Sequence, residues 1–152
     1  MVDAVRTGTS VVPALHGKSS FDYFADEPEH AELFNRTMTS VSEMTDGPVV
    51  AAYNFGAHPT IVDVAGGHGA LLATILAATP ASRGILYDLP SVVADAPSLL
   101  RKHNVAERVR IAAGSFFHSV PSGADAYVMK NIVHDWPDAK ALHILRNVRE
   151  AA

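Results

Sequence analysis

Apolar residues recur along this chain with two different periods, and the change of period divides the chain into two parts. Between residues 21 and 52 apolar side chains return every three, four or seven positions, which predicts helical segments with one apolar face. The run Asp-Glu-Pro-Glu at residues 26–29 predicts a helix start with Asp26 as its cap. Residues 1–20 have no clear period and are rich in Gly, Ser, Thr and Val, so we expect a linker there or the tail of a preceding segment. The apolar positions of the helical part are Phe24, Ala31, Phe34, Met38, Val41 and Met44.

After residue 58 the pattern alternates between short β-rich runs and longer helical ones. Such alternation predicts an α/β fold with a parallel, doubly wound sheet and flanking helices. Because only four strands are predicted and the last helix runs to Ala152 without a Gly or Pro stop, we expect the sheet to be incomplete at the C-terminus. Strands are predicted at residues 60–64, 84–87, 108–112 and 126–129, and helices at residues 69–78, 91–103 and 138–151.

Composition narrows the class of protein. With 152 residues, 48% of them hydrophobic and 18% charged, the chain has the make-up of a globular domain. A net charge of -4 without a run of Lys or Arg argues against nucleic acid or an anionic membrane as a partner. No apolar stretch is long enough for a membrane span or a signal peptide, so we expect a cytoplasmic protein. The absence of Cys excludes disulfides and thiolate nucleophiles, the eight His show no HExxH spacing, and no metal is predicted.

A glycine-rich turn carries the first candidate chemistry. Residues 63–69 read Asp-Val-Ala-Gly-Gly-His-Gly, between a predicted strand and a predicted helix. A turn of this kind brings bare backbone N–H groups close to a nucleotide-like ligand. Asp88 follows the second strand, 19 residues beyond Gly69, where an acid accepts hydrogen bonds from ribose hydroxyls. The alternative is that Asp88 caps the helix near Ser91 and that the glycines only permit close packing.

The spacing of the turn helps to choose the cofactor. A dinucleotide-binding fold needs GxGxxG, which this turn does not match. Asp63, at the end of the first strand, suits a cationic ligand better than a pyrophosphate, which a carboxylate repels. S-adenosylmethionine carries an ammonium and a sulfonium, so a methyltransferase is favoured over an NAD-dependent dehydrogenase.

Two further motifs follow the third and fourth strands. Residues 114–117 contain Phe116 and Phe117, and an aromatic ring here is placed to pack on an adenine face, although either Phe is also typical of ordinary core. Residues 130–136 follow the last strand at the ligand side of the sheet and contain His134, which accepts a proton near neutral pH. The alternatives are a structural histidine, and an Asp135 that only helps to start the last helix.

In these motifs the chain resembles the caffeic-acid-type family of S-adenosylmethionine-dependent O-methyltransferases, including its bacterial small-molecule members. The resemblance runs from residue 17 to the end and implies a Rossmann-like class I methyltransferase fold. It implies transfer of a methyl group to a phenolic or enolic hydroxyl. The segments that carry it are residues 34–38, 62–69, 87–90, 114–117, 119–127, 130, 134–136 and 144–147.

The resemblance also implies a role for each matching residue. His134 is the general base, Asp88 holds the ribose and Lys130 contacts the cofactor. Two positions depart from the family: Ala65 replaces a usual glycine and slightly crowds the backbone, and Ser115 replaces a usual acid, which weakens a hydrogen bond near the adenine. The other cofactor-binding residues are Asp63, Gly67, Gly69, Ser115 and Phe116, and those near the acceptor are Asn35, Met38, Asn131 and Asp135.

Family members are about twice this length, which sets the expected organisation. Residues 1–57 are then a linker and helical segment leading from an absent dimerisation domain, and residues 58–152 a partial S-adenosylmethionine-binding catalytic domain. The family implies a homodimer and a later glutamate that orients His134. Two alternatives stay open: a truncated, non-catalytic cofactor-binding fragment, and an NAD-dependent dehydrogenase.

Overall fold

The computed structural model describes residues 2–152, with the side chain of residue 43 left aside. The chain divides into two compact units, the first ending at Met38 and the second running from Thr39 to Ala152. The division falls inside a single long helix. The first four helices are α1 (Val2–Thr7), α2 (Val12–His16), α3 (Ser20–Asp26) and α4 (Pro28–Ala52).

The first unit is helical over most of residues 2–20, where the sequence shows no clear period, and the role of this stretch as a linker stays a prediction. The glycines of this stretch end helices instead of loosening the chain. Gly17 adopts a left-handed φ of 69° after α2 and donates its N–H to the carbonyl of Pro13 at 2.9 Å. Ser19 caps α3, since its hydroxyl accepts a hydrogen bond from the N–H of Asp22.

Aromatic rings pack the two later helices of this unit together. The ring of Phe24 stacks on Phe34 with centroids 4.9 Å apart, and the Tyr23 hydroxyl lies 2.9 Å from Nδ1 of His30. The helix start predicted at residues 26–29 is confirmed by the start of α4. Asp26 is not its cap, because it ends α3 and its carboxylate pairs with Lys18.

The second unit contains the predicted parallel sheet. All strand pairs are parallel and the spatial order is β3-β2-β1-β4. Val62 in the first strand pairs with Ile85 on one side and with Tyr127 on the other. The order reverses beside the first strand, which is where open α/β sheets bind their ligands. The strands are β1 (Thr60–Val64), β2 (Arg83–Asp88), β3 (Val109–Ala113) and β4 (Ala126–Val128).

Helices cover both faces of this sheet, which confirms the doubly wound arrangement. One core cluster contains buried residues of three α-helices against Ile61 and Leu86, and another joins Val62 and Tyr87 to Val148 of the last helix. Alternate residues of β1 therefore enter opposite cores. The helices are α5 (Ala70–Ala78), α6 (Pro90–Val93), α7 (Ala96–Lys102) and α8 (Asp138–Ala151).

The single helix predicted at residues 91–103 is two helices. Pro97 lies in the first turn of α7, and its nitrogen has no hydrogen to donate to a preceding helical carbonyl. The ladder of α6 therefore ends at Val93 and a new helix begins at Ala96. Among residues 2–152, no helix has both the length and the apolar character that crossing a membrane requires.

Candidate functional site

The predicted cofactor residues lie at the carboxyl edge of the sheet, around the point where the strand order reverses. Residues 65–69 follow β1 and lead into α5, Asp88 ends β2, and Lys130 follows β4. Because β1 and β4 are neighbours in the sheet, the glycine turn and Lys130 come from adjacent strands. This edge is the ligand side of an open parallel sheet.

The glycine turn needs small residues for two separate reasons. Gly67 and Gly69 have φ angles of 60° and 87°, which favour glycine. A Cβ at Gly66 would lie 2.6 Å from the carboxylate of Asp63, so close approach also excludes a side chain there. Ala65 adopts a φ of 57° without being glycine, and donates its N–H to the carbonyl of Tyr87 at 2.7 Å.

Asp88 joins the turn to the second strand. One carboxylate oxygen accepts a hydrogen bond from the N–H of Gly67 at 2.9 Å, and the other accepts from the N–H of Leu89 at 2.7 Å. Helix α6 begins without a side-chain cap, so the alternative role of Asp88 as a helix cap is wrong. Each oxygen keeps a second lone pair for a ribose hydroxyl. Burial raises the pKa of Asp88, while its two backbone donors oppose that shift.

Asp63 lies beneath the turn instead of at its surface. Its side chain is 2% exposed, and the oxygen Oδ2 has no hydrogen-bond partner. Burial, followed by the charge of Asp88, raises the pKa of Asp63 to about 7, and Asp46 adds to the rise while Lys130 opposes it. Near neutral pH this carboxyl group therefore exists in both protonation states.

Lys130 is held by residues of α4 that the sequence pattern does not single out. Its Nζ donates to the carboxylate of Asp46 and, at 2.8 Å, to the hydroxyl of Ser42. The pair is uneven, since the side chain of Lys130 is 21% exposed and that of Asp46 only 2%. Asp46 is thus a buried acid at the predicted cofactor site.

The apolar period of α4 does not single out Asp46, because the side of the helix that faces Lys130 carries polar as well as apolar residues. Ser42, Asp46 and Val50 are spaced four residues apart and lie on the less exposed side of the helix. The apolar pattern instead predicts Val41 and Met44 as inward positions, and that prediction is wrong because both are exposed. The signal in the sequence was the four-residue spacing between Ser42 and Asp46, which places a charged residue on the same side of the helix as Ser42.

The loop after β4 presents His134 to solvent. Residues 133–135 form a short 3₁₀ turn, in which the His134 side chain is 66% exposed and its Nε2 lies 3.2 Å from the carboxylate of Asp135. Such exposure argues against a structural role for the imidazole. Asn131 holds a left-handed φ of 58° at the start of this loop and is exposed.

Ser115 and Phe116 follow β3, away from Lys130. The Ser115 hydroxyl accepts a long hydrogen bond from the N–H of Phe117 at 3.3 Å. Phe116 packs on the second core cluster and meets Trp136 edge-on with centroids 5.9 Å apart, so part of its surface is ordinary core. A cleft of about 570 Å³ beside β3 includes Ser115 and Tyr87 in its lining, but neither Lys130 nor the glycine turn.

Within the second unit, the structure brings one group of the predicted residues together. The N–H of Gly67 donates to the carboxylate of Asp88. The charge of Asp88 raises the pKa of Asp63, and the charge of Lys130 lowers it. Asn35 and Met38 lie on α4 in the unit that ends at Met38. In the part of the chain that the structure describes, no three His, Asp or Glu side chains cluster in a way that could hold a metal ion.

Comparison with known proteins identifies the relatives of this chain. Residues 1–152 match the O-methyltransferase domain family. The mitomycin biosynthesis 6-O-methyltransferase of Streptomyces lavendulae is 40% identical over 151 residues, which cover 99% of this chain and 43% of the relative. The chain thus spans less than half the length of such relatives.

Solved structures give the same picture. The structure of the mitomycin 7-O-methyltransferase MmcR is 41% identical and superposes with a TM-score of 0.92 over 99% of this chain and 44% of its own. An O-methyltransferase from neocarzinostatin biosynthesis, solved with S-adenosylmethionine and 2-hydroxy-5-methyl naphthoic acid, is 32% identical with a TM-score of 0.90, over 99% of this chain and 46% of its own.

Proposed function

Because this chain belongs to the O-methyltransferase domain family, we propose that it forms the cofactor-binding part of an S-adenosylmethionine-dependent O-methyltransferase. The proposed acceptor is a hydroxyl group of a small phenolic or enolic molecule. The fold of this chain is the Rossmann-like parallel sheet of class I methyltransferases. The relatives named above are methyltransferases, so the NAD-dependent dehydrogenase has no support among them.

One observation carries the cofactor assignment, namely the hydrogen bond from the N–H of Gly67 to the carboxylate of Asp88. It sets a bare glycine backbone beside the acid at the end of the neighbouring strand. A Cβ at Gly67 would meet no atom within 4 Å, so this side of the turn is open. We assign the ribose to Asp88, and the backbone cradle to Gly67 and Gly69.

The charges of the site also fit this cofactor. Asp63 and Asp46 are buried carboxylates with unpartnered oxygens, and both lie near Lys130. An acidic environment favours a ligand that carries an ammonium and a sulfonium, and disfavours a pyrophosphate. We place Ser115 and Phe116 near the adenine, and Lys130 in contact with the cofactor.

Bound S-adenosylmethionine supplies an electrophilic methyl group. We assign to His134 the removal of the proton from the acceptor hydroxyl. If the reference pKa values hold, moving a proton from a phenol to a histidine is uphill by about 5 kcal/mol. General base help is worth roughly 10²- to 10⁴-fold, so orientation of the reactants supplies more of the rate.

The remaining parts of the proposal follow from family resemblance. Residues 58–152 are proposed as the cofactor-binding part of a catalytic domain, and residues 1–57 as the segment that precedes it. Asn35, Met38, Asn131 and Asp135 are proposed near the acceptor. A homodimer and a cytoplasmic location also stay predictions.

Calorimetric titration with S-adenosylhomocysteine tests the cofactor assignment, with NAD as the control ligand. We expect saturable binding of S-adenosylhomocysteine and no binding of NAD. Circular dichroism establishes first that the protein is folded. A folded protein that binds neither ligand contradicts the proposal, and binding of NAD alone favours a dehydrogenase.

A further inference from the structure

The ion pair between Asp46 and Lys130 lacks one of the hydrogen bonds that the buried position of Asp46 demands. Oxygen Oδ2 of Asp46 is buried without a partner. The Nζ of Lys130 has three hydrogens; two are used by Asp46 and Ser42, and the third reaches Thr45 only at 3.4 Å. The pair is therefore short of one donor to Asp46, and the third hydrogen of Lys130 makes only a long hydrogen bond.

Stability of the fold does not by itself account for such a pair. A buried ion pair is often no more stabilising than apolar side chains of the same volume, because both charges must leave water. An unpartnered carboxylate oxygen adds a further unfavourable contribution. Asp46 therefore calls for a ligand that completes its hydrogen bonds.

The position of the pair limits what that ligand can be. Lys130 follows β4, next to the turn that follows β1, and its exposed side gives access to the pair. Asp63 is close enough for its pKa to respond to the charges of both Asp46 and Lys130. A ligand here needs a cationic donor for the acids and an anionic acceptor for Lys130. An amino-acid zwitterion carries both on one carbon atom.

We propose that Asp46 is a cofactor-binding residue, and that the amino-acid end of S-adenosylmethionine inserts between Asp46 and Lys130. The ammonium of the ligand donates to the carboxylate of Asp46, while its carboxylate accepts from Nζ of Lys130. One ion pair becomes two, no proton changes place, and the net charge of the site is unchanged. This inference rests on the proposed function, since it names a new contact for the same cofactor.

The test is a binding cycle between one side chain and one ligand group. S-adenosylhomocysteine is compared with its desamino analogue, which keeps the carboxylate and lacks the ammonium. Each is titrated into the wild-type protein and into Asp46→Asn. We expect the wild type to bind the analogue roughly 10- to 100-fold more weakly than S-adenosylhomocysteine, the range of a charge-assisted hydrogen bond. In Asp46→Asn the two ligands should bind with equal affinity.

The matched control is Asp95→Asn, which removes an exposed carboxylate before α7 that caps nothing. It should preserve the wild-type preference for the ammonium. Equal binding of both ligands by the wild type overturns the inference, whether or not Asp46→Asn folds. Equal weakening of both ligands in a folded Asp46→Asn also overturns it, because Asp46 is then only a packing residue. In these two cases the proposed function stands; if the wild type does not bind S-adenosylhomocysteine, both fail.

Discussion

Asp63 is the residue whose chemistry the tertiary structure changes most. In an unfolded chain it is an ordinary carboxyl group with a pKa of 3.8, but burial beneath the glycine turn raises its pKa to about 7. The folded state therefore binds this proton more tightly than the unfolded state does. Asp63 therefore makes its full stabilising contribution below the pKa that it has in the unfolded state. This contribution is lost as pH rises through the pKa that it has in the folded state.

This shift predicts the pH dependence of stability. Relative to Asp63→Asn, the free energy of unfolding of the wild type should fall by about 2–3 kcal/mol between pH 5 and 8. Urea unfolding at several pH values measures both curves, and using the difference removes contributions from other groups. Parallel curves would mean that Asp63 titrates as it does in the unfolded chain.

Ala65, in the glycine turn above Asp63, has a strained backbone conformation. Its φ of 57° lies in the left-handed region, where a Cβ costs roughly 1–2 kcal/mol. Ala65→Gly should raise the free energy of unfolding by up to about 1 kcal/mol, because the relief of strain exceeds the added entropy of the unfolded glycine. Thermal unfolding provides the measurement.

A control with the opposite sign is Ala139→Gly, at an exposed position in the first turn of α8. There a glycine should lower the free energy of unfolding by up to about 1 kcal/mol. If Ala65→Gly destabilises the protein as much as Ala139→Gly does, the left-handed conformation of Ala65 is not a source of strain.

At the scale of elements, Arg108 ties the end of α5 to the sheet. Its guanidinium donates to the carbonyl of Leu76 at 2.8 Å, to Ser82 at 2.9 Å and to Thr79 at 3.2 Å. These carbonyls belong to the end of α5 and the connection to β2. The positive charge of the guanidinium also interacts favourably with the negative, C-terminal end of the α5 dipole.

Replacement of this side chain should therefore loosen α5. We expect Arg108→Met to lower the free energy of unfolding by about 2–3 kcal/mol, since partly buried carbonyls lose charged donors. Arg110→Met, at an exposed position on β3, should change it by less than about 0.5 kcal/mol. Urea unfolding of both variants decides, and equal effects would show that the carbonyl contacts of Arg108 contribute nothing.

The predicted strands and helices agree with the structure where a local pattern of residues is enough to define their bounds. Strand β1 and helix α8 have their predicted bounds, because one is a short β-branched run and the other a continuous amphipathic stretch. The break before α7 shows the limit of periodicity, since a single proline ends a helix whose apolar spacing continues.

At the scale of the whole molecule, catalysis and cofactor binding should respond to different residues. In a full-length context, His134→Ala should lower turnover with a small phenolic acceptor by roughly 10²- to 10⁴-fold while S-adenosylhomocysteine affinity changes little. Asp88→Ala should weaken that affinity, because it removes the proposed ribose acceptor and the hydrogen-bond partner of Gly67. Methyl transfer and calorimetry measure the two effects. Equal losses of turnover and affinity in His134→Ala would exclude a role confined to proton removal.

The sequence by itself determined the parallel sheet, the glycine turn and the order of the motifs, since each depends on neighbouring residues and on the period of apolar positions. Only the tertiary structure decided which distant groups meet. It buried Asp63, set Asp88 against Gly67, and paired Asp46 with Lys130, 84 residues away along the chain. The physical reason is that burial and charge pairing arise from packing between elements, which no local pattern encodes.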